Sequence, residues 1–367
     1  MRKRRKLILE DGSVFYGTGF GAPGDAVCEI VFNTSMTGYQ EILSDPSYTD
    51  QAVVMSYPLI GNYGITDEDF ESKMIAPSAL IIRDLNENPS NFRFTRTLEE
   101  LLAENDVPGV YGVDTRKLVR SIRDLGSRKV LVTDDDTPLT EGMRILRETG
   151  LSHDAVRRCS CSGKWYSRTS NPRFHVVAVD CGMKMGIIKK LNEYKCNVTT
   201  VPYHTSGEEI MSLAPDGVFV SNGPGDPEDV PEVIASLRTI RGKVPVFGIC
   251  LGHQLIALSR GAKTYKLKFG HRGGNHPVMD VRTGKIEITS QNHSYAVRAE
   301  SLAGTGLAVT HVNLLDRTVE GLEDKDGLVF SVQYHPESAP GPQDSTYLFE
   351  RFTENMARGK NRRTGNA

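Results

Sequence analysis

One cysteine stands where a strand-like segment gives way to a helix-like one. The apolar run 244–249 precedes Cys250, and the helical pattern of residues 251–258 follows it. Gly248 and Gly252 flank the cysteine at the spacing of a nucleophile elbow, a sharp turn that exposes a nucleophile above a sheet. The N-terminus of a helix also stabilises negative charge and offers N–H groups to an oxyanion. We interpret Cys250 as a nucleophile, with a buried structural cysteine as the alternative.

A cysteine nucleophile needs a base, and the base needs an orienting acceptor. His335 and Glu337 can supply both, because they follow the apolar run 328–332 and are separated by a single proline. Two residues apart, the side chains can point the same way, so that Glu337 holds the imidazole of His335. Taken alone, a His-Pro-Glu segment is a surface loop, but its place after a strand favours a catalytic pair with Cys250.

A third segment has the composition of a ligand-binding loop. Residues 221–227 read Ser-Asn-Gly-Pro-Gly-Asp-Pro and follow the apolar run 217–220. Its glycines allow the backbone to approach a ligand closely, and its N–H groups could stabilise an oxyanion. The alternative is a plain turn, because Gly, Pro, Asn and Asp are ordinary turn residues.

The elements that would position these segments alternate between strand and helix. After about residue 172, apolar extended runs at 174–179, 197–201, 217–220 and 244–249 are interleaved with helical patterns. This alternation predicts a parallel sheet, whose carboxyl edge is where such sheets bind ligands. The first half, by contrast, has short strand-like runs and few helices. We therefore predict an α/β protein with a strand-rich N-terminal α+β domain (residues 1–150), a linker (151–173) and a second domain (174–367).

Composition excludes several classes of protein. The 367 residues include 44 Lys and Arg against 46 Asp and Glu, a net charge of −2. This balance argues against attachment to nucleic acid or to an anionic membrane by charge. No apolar run approaches the ~18 residues of a membrane span, and the basic start lacks the apolar core of a signal peptide. Six cysteines are too few for a disulfide scaffold, so we expect a cytoplasmic protein.

Taken in chain order, the loop, the cysteine and the His-x-Glu pair resemble the class I glutamine amidotransferases. The resemblance implies that residues 174–367 form a flavodoxin-like class I glutamine amidotransferase domain, which hydrolyses the side-chain amide of glutamine. Cys250 would form a γ-glutamyl thioester, His335 would act as base and acid, and Glu337 would orient it. The backbone N–H groups of Gly223 and Leu251 would form the oxyanion hole.

The first half narrows the resemblance to one amidotransferase family. Segments 31–41, 45–48, 57–64 and 112–116 resemble the small subunits of carbamoyl-phosphate synthetases, as do 270–278 and 290–293. The resemblance covers roughly residues 7–355. Ser294 and Tyr295 depart from the Gly-Phe pair usual in the family, but contacts through their backbone would survive. By position, the implied glutamine pocket consists of Ser47, Gly223, Gly225, Leu251, Gln254, Asn292, Ser294 and Tyr295.

The same resemblance implies a division of labour between two chains. The sequence has no phosphate-binding loop, no kinase-like motifs and no convincing metal-ligand spacing, so we expect no metal and no cofactor in this chain. ATP and Mg would be handled by the large subunit, which would receive ammonia from this chain to make carbamoyl phosphate. The N-terminal domain would dock that partner, and several heterodimers could assemble further. The alternatives are a stand-alone γ-glutamyl thiol hydrolase and a non-catalytic binding subunit.

Overall fold

The computed structural model describes residues 2–364, the last four of them as backbone only. The chain forms two compact units. The first comprises Met1–Ser152 with Lys268–Arg272, and the second comprises His153–Leu267 with Gly273–Ala367.

The first unit is built on a closed barrel with the strand order β1-β2-β8-β6-β4-β3-β9, and antiparallel pairing of β9 with β1 closes it. A small second pair, β5 with β7, lies outside the barrel. The strands are β1 Arg4–Leu9, β2 Val14–Gly21, β3 Ala26–Asn33, β4 Gln51–Met55, β5 Leu59–Ile60, β6 Ala79–Ile81, β7 Asp84–Leu85, β8 Pro108–Tyr111 and β9 Arg128–Asp134. The helices are α1 Tyr39–Ser44, α2 Leu98–Glu104, α3 Thr115–Leu125 and α4 Leu139–Glu148.

Strand β4 of the barrel is buried on both faces, to which successive side chains along a strand point alternately. In β4, Ala52 and Val54 belong to one apolar cluster while Val53 belongs to another. Helix α2 begins at a capping box in which Thr97 and Glu100 satisfy each other's backbone N–H groups. The predicted strand-rich α+β character of this half is confirmed, although closure into a barrel was not foreseen.

The second unit contains a ten-stranded sheet in the described part of the chain, with the order β10-β12-β11-β13-β14-β19-β18-β17-β15-β16. The strands are β10 Trp165–Ser167, β11 Phe174–Asp180, β12 Cys196–Pro202, β13 Gly217–Val220, β14 Val246–Ile249, β15 Thr264–Asp280, β16 Ile286–Val297, β17 Leu307–Asn313, β18 Val319–Asp324 and β19 Val329–Val332. The helices are α5 Ala155–Cys159, α6 Met185–Glu193, α7 Gly207–Ser212, α8 Pro231–Ile240, α9 Leu251–Ser259 and α10 Tyr347–Thr364.

The centre of this sheet is parallel, in the order β12-β11-β13-β14-β19. Numbered in chain order among these five parallel strands, this is 2-1-3-4-5, the flavodoxin-like order, so the predicted fold class is confirmed. Helices cover both faces: α6 and α10 contribute to one apolar cluster, and α7, α8 and α9 contribute to the other. Alternate residues of β11 face the two clusters, as Val176 and Val177 show.

Residues 151–173, predicted to be a linker, contain regular structure. Helix α5 lies here, and β10 pairs antiparallel with β12 at the edge of the sheet. Apart from the two residues before His153, the segment belongs to the second unit. Cys161 within it donates its backbone N–H to the Asp180 carboxylate at 2.9 Å. No helix among the described residues combines the length and apolarity needed to cross a membrane.

Candidate active site

Cys250 occupies a strained turn between β14 and α9. Its backbone has φ +54° and ψ −104°, a region that residues with a side chain rarely adopt. Close backbone packing holds the turn in place, because a Cβ atom on Gly252 would lie 2.2 Å from the carbonyl oxygen of Val220. The Cys250 N–H also donates to the carbonyl of Val332 at 2.9 Å. The predicted nucleophile elbow is therefore present in the structure.

The contact between His335 and Glu337 that the sequence predicts is formed and buried, and the catalytic role of the pair stays a prediction. Nδ1 of His335 lies 2.7 Å from Oε1 of Glu337, and both side chains are almost fully enclosed. A carboxylate can only accept in this contact, so Nδ1 carries the proton and Nε2 is directed elsewhere. Burial alone would lower the pKa of His335, but the Glu337 carboxylate and the Cys250 thiol raise it above its usual value.

The thiol of Cys250 lies between the histidine and β16. Its Sγ contacts the carbonyl oxygen of Asn292 at 3.5 Å, and it interacts with the imidazole of His335. Nε2 of His335 has no other hydrogen-bond partner in the described part of the chain. The structure thus brings Cys250, His335 and Glu337 together in the arrangement a cysteine nucleophile requires.

Lys184, which the sequence analysis missed, adds a fourth side chain to this hydrogen-bonded group. It follows β11, and its Nζ donates to Oε1 of Glu337 at 3.0 Å and to the carbonyl of Ala339 at 2.6 Å. Burial would raise the pKa of Glu337, but Lys184 and then His335 lower it below its usual value. The sequence signal that could have indicated Lys184 is its position, because it follows a parallel strand of the same sheet that carries Cys250.

The loop at 221–227 is pinned against the elbow. A Cβ atom on Gly223 would lie 2.2 Å from the Cys181 carbonyl oxygen and 2.8 Å from a Leu251 methyl carbon, so Gly223 and Leu251 are neighbours. Oγ of Ser221 accepts from the Cys181 N–H at 2.9 Å. Gly225 has φ +85°, a conformation that favours glycine. The two residues assigned to the oxyanion hole therefore lie side by side, and their role stays a prediction.

The other residues predicted to bind glutamine come from several separate elements of the chain. Gln254 lies one helical turn after Cys250 and donates from Nε2 to the carbonyl of Tyr295 at 2.8 Å. Asn292, Ser294 and Tyr295 are on β16, where Asn292 contacts the thiol. Ser47 belongs to the first unit, in a short helical turn where its N–H donates to the Asp45 carboxylate at 2.9 Å. Their binding of glutamine stays a prediction.

Comparison with known protein families agrees with the interpretation drawn from the turn at Cys250 and from the strand order. Residues 177–355 match the family model described as glutamine amidotransferase class-I. Residues 7–132 match a second model, the carbamoyl-phosphate synthase small chain, CPSase domain. The second unit therefore carries a class I glutamine amidotransferase domain.

Curated relatives match almost the whole chain. A carbamoyl phosphate synthase small chain from Bacillus caldolyticus is 53% identical over 95% of this chain and 95% of its own length. One from Staphylococcus epidermidis is 51% identical over 97% of both chains. A pyrimidine-specific small chain from Bacillus subtilis is 51% identical over 96% of this chain and 95% of its own. The chain belongs to the carbamoyl phosphate synthase small chain family, which confirms the resemblance seen in the sequence.

Proposed function

We propose that this chain hydrolyses the side-chain amide of L-glutamine and passes the ammonia to the large subunit of a carbamoyl phosphate synthase. The observation that carries the proposal is the enclosed chain Lys184–Glu337–His335 beside the strained Cys250 elbow. Membership of the small chain family indicates which complex the chain would belong to. The geometry of these side chains supports the reaction that we propose for it. The ammonia would serve carbamoyl phosphate for pyrimidine synthesis, arginine synthesis or both.

The acylation step follows from the positions of these side chains. Sγ of Cys250 attacks the amide carbon of glutamine, and the thiol proton passes to Nε2 of His335. The carbonyl oxygen becomes an oxyanion that accepts from the N–H groups of Gly223 and Leu251. When the C–N bond breaks, His335 returns the proton to the departing nitrogen, so ammonia and a γ-glutamyl thioester are formed.

Deacylation reverses the roles of the same groups. His335 takes a proton from water while the water oxygen attacks the thioester carbon, and the C–S bond then breaks. The proton returns to Sγ, glutamate leaves and the thiol is restored. Throughout, Glu337 stabilises the imidazolium form of His335, and Lys184 keeps Glu337 ionised. This chain needs no cofactor for either step, and ATP and Mg would act on the large subunit.

The experiment measures glutamate and ammonia released from glutamine by the chain alone and with its large subunit, ATP and bicarbonate. We expect slow hydrolysis alone and strong stimulation in the complex. Cys250→Ser should lower the rate at least about 10³-fold, because removing the nucleophile disables the whole catalytic group. Acid quenching with labelled glutamine should trap label on the wild-type chain and none on the variant.

Two results would favour the alternatives. Rapid cleavage of γ-glutamyl peptides that is indifferent to the large subunit would indicate a stand-alone thiol hydrolase. Binding to the large subunit without any hydrolysis, in wild type and Cys250→Ser alike, would indicate a non-catalytic binding subunit.

A further inference from the structure

The side-chain amide of Gln254 is held in one orientation by two acceptors. Its Nε2 donates to the carbonyl oxygen of Tyr295 at 2.8 Å and to Oε1 of Gln333 at 3.0 Å. A backbone carbonyl can only accept, so the nitrogen of Gln254 must face Tyr295. The second contact of that nitrogen then requires an acceptor, which fixes the oxygen of Gln333 toward Gln254.

Gln333 keeps this orientation although it leaves its own donor unused. The residue follows β19, is fully buried, and its Nε2 has no hydrogen-bond partner in the part of the chain that the structure describes. Buried amide donors are nearly always paired, so an unpaired one calls for an explanation. Turning the amide over would place two donors against each other at Gln254. The amide of Gln333 is therefore oriented by the need of Gln254 for a hydrogen-bond acceptor.

With both N–H groups of Gln254 occupied, its Oε1 is the atom left to meet a ligand. Among the described residues, Oε1 of Gln254 accepts no hydrogen bond. Gln254 lies in the first turn of α9, and its backbone N–H donates to the carbonyl of Cys250 at 3.3 Å, so the two residues are about one 5.4 Å helical turn apart. In glutamine, about 4 Å separate the amide carbon from the α-carbon. A substrate whose amide carbon is at Sγ can thus place its α-ammonium near Oε1 of Gln254.

We propose that Gln333 is a positioning residue that holds Gln254 as an acceptor for the α-ammonium group of the substrate. This inference rests on the proposed function, since it concerns how that reaction selects its substrate. The selection would favour L-glutamine over glutaramate, the same amide without the α-amino group. A site built to bond a polar group discriminates strongly against an analogue that lacks it.

The test compares kcat and KM for L-glutamine and glutaramate in the complex with the large subunit. Gln333→Met keeps the side-chain length and removes the acceptor. We expect it to raise KM for L-glutamine about 10-fold, to leave kcat within about threefold, and to lower the preference over glutaramate about 10-fold. Gln333→Glu keeps an acceptor oxygen and should restore most of that preference.

A double-mutant cycle supplies a second measurement that does not depend on one variant folding well. In a Gln254→Met background, Gln333→Met should have no further effect on the preference, because the group it positions is gone. Equal loss of kcat toward both substrates, or an unchanged preference in Gln333→Met, would overturn the inference. A wild-type complex that does not hydrolyse glutamine at all would instead overturn the proposed function.

Discussion

At the scale of single residues, the site consists of buried ionisable side chains of alternating charge, the last of which interacts with a thiol. Lys184 bonds Glu337, Glu337 bonds His335, and His335 interacts with Cys250. Each buried charge has a partner, which offsets the cost of removing it from water. In the proposed mechanism, this arrangement stabilises in advance the imidazolium that forms when the thiol attacks.

Lys184→Met should lower kcat for glutamine hydrolysis about 10–100-fold, because Glu337 loses the ammonium that fixes it and His335 loses its rigid support. The pH profile should move as well. Lys184 lowers the pKa of Glu337, so the carboxylate of the wild type stays ionised as the pH falls. Without Lys184 it protonates at a higher pH, and the acid limb of kcat/KM shifts upward.

The matched control for Lys184→Met is Lys189→Met, since Lys189 is exposed on α6, five residues further along. Rates measured between about pH 5 and pH 9 should separate the two variants. An acid limb that stays where the wild type has it in Lys184→Met would contradict this account of Glu337.

At the scale of elements, the elbow depends on how closely α9 approaches β13. The Gly252 N–H donates to the Ser221 carbonyl at 3.0 Å, and there is no room for a Cβ atom between Gly252 and Val220. This contact places the first turn of α9, with Leu251, next to Gly223. If Gly223 and Leu251 form the proposed oxyanion hole, it depends on this helix–strand packing, and a change in the packing should alter catalysis.

Gly252→Ala should destabilise the protein by about 1–3 kcal/mol, the usual cost of forcing an extra carbon into a packed interior. It should also lower kcat at least about 10-fold, because α9 must move away from β13 and take the Leu251 N–H with it. Thermal unfolding and glutamine hydrolysis would be measured on the same preparation. Gly163→Ala is the control, since its Cβ would meet nothing within 4 Å; equal activity of the two variants would contradict the argument.

Sequence predicts those parts of the fold and the site that local pattern encodes. The glycines around Cys250 and the strand-like run before it indicate the elbow, and the alternation of strands and helices indicates the parallel sheet. Lys184 was missed because its partner Glu337 is 153 residues away, and only the folded sheet brings the two strand ends together. Barrel closure through β1 and β9 depends on a pairing across more than a hundred residues, which no local period reveals.

At the scale of the whole molecule, a nearly neutral chain carries a local concentration of positive charge in its first unit. Arg116, Arg120 and Arg123 share one side of α3, at positions i, i+4 and i+7, around an open depression of about 470 Å³. Since the net charge is only −2, this face is a distinct feature of the surface. We expect it to dock an acidic surface of the large subunit, the partner that the first unit is proposed to bind.

The double variant Arg116→Glu/Arg120→Glu should weaken association with the large subunit at least about 10-fold and change its dependence on salt, because like charges then face each other. Hydrolysis of glutamine by the isolated chain should stay unchanged, since neither arginine belongs to the Cys250–His335–Glu337 group or to the predicted glutamine pocket. Arg93→Glu/Arg147→Glu reverses the same number of exposed charges elsewhere on the first unit and serves as the control. Association would be followed by titration at two ionic strengths, and equal affinity of the two double variants would exclude α3 from the interface.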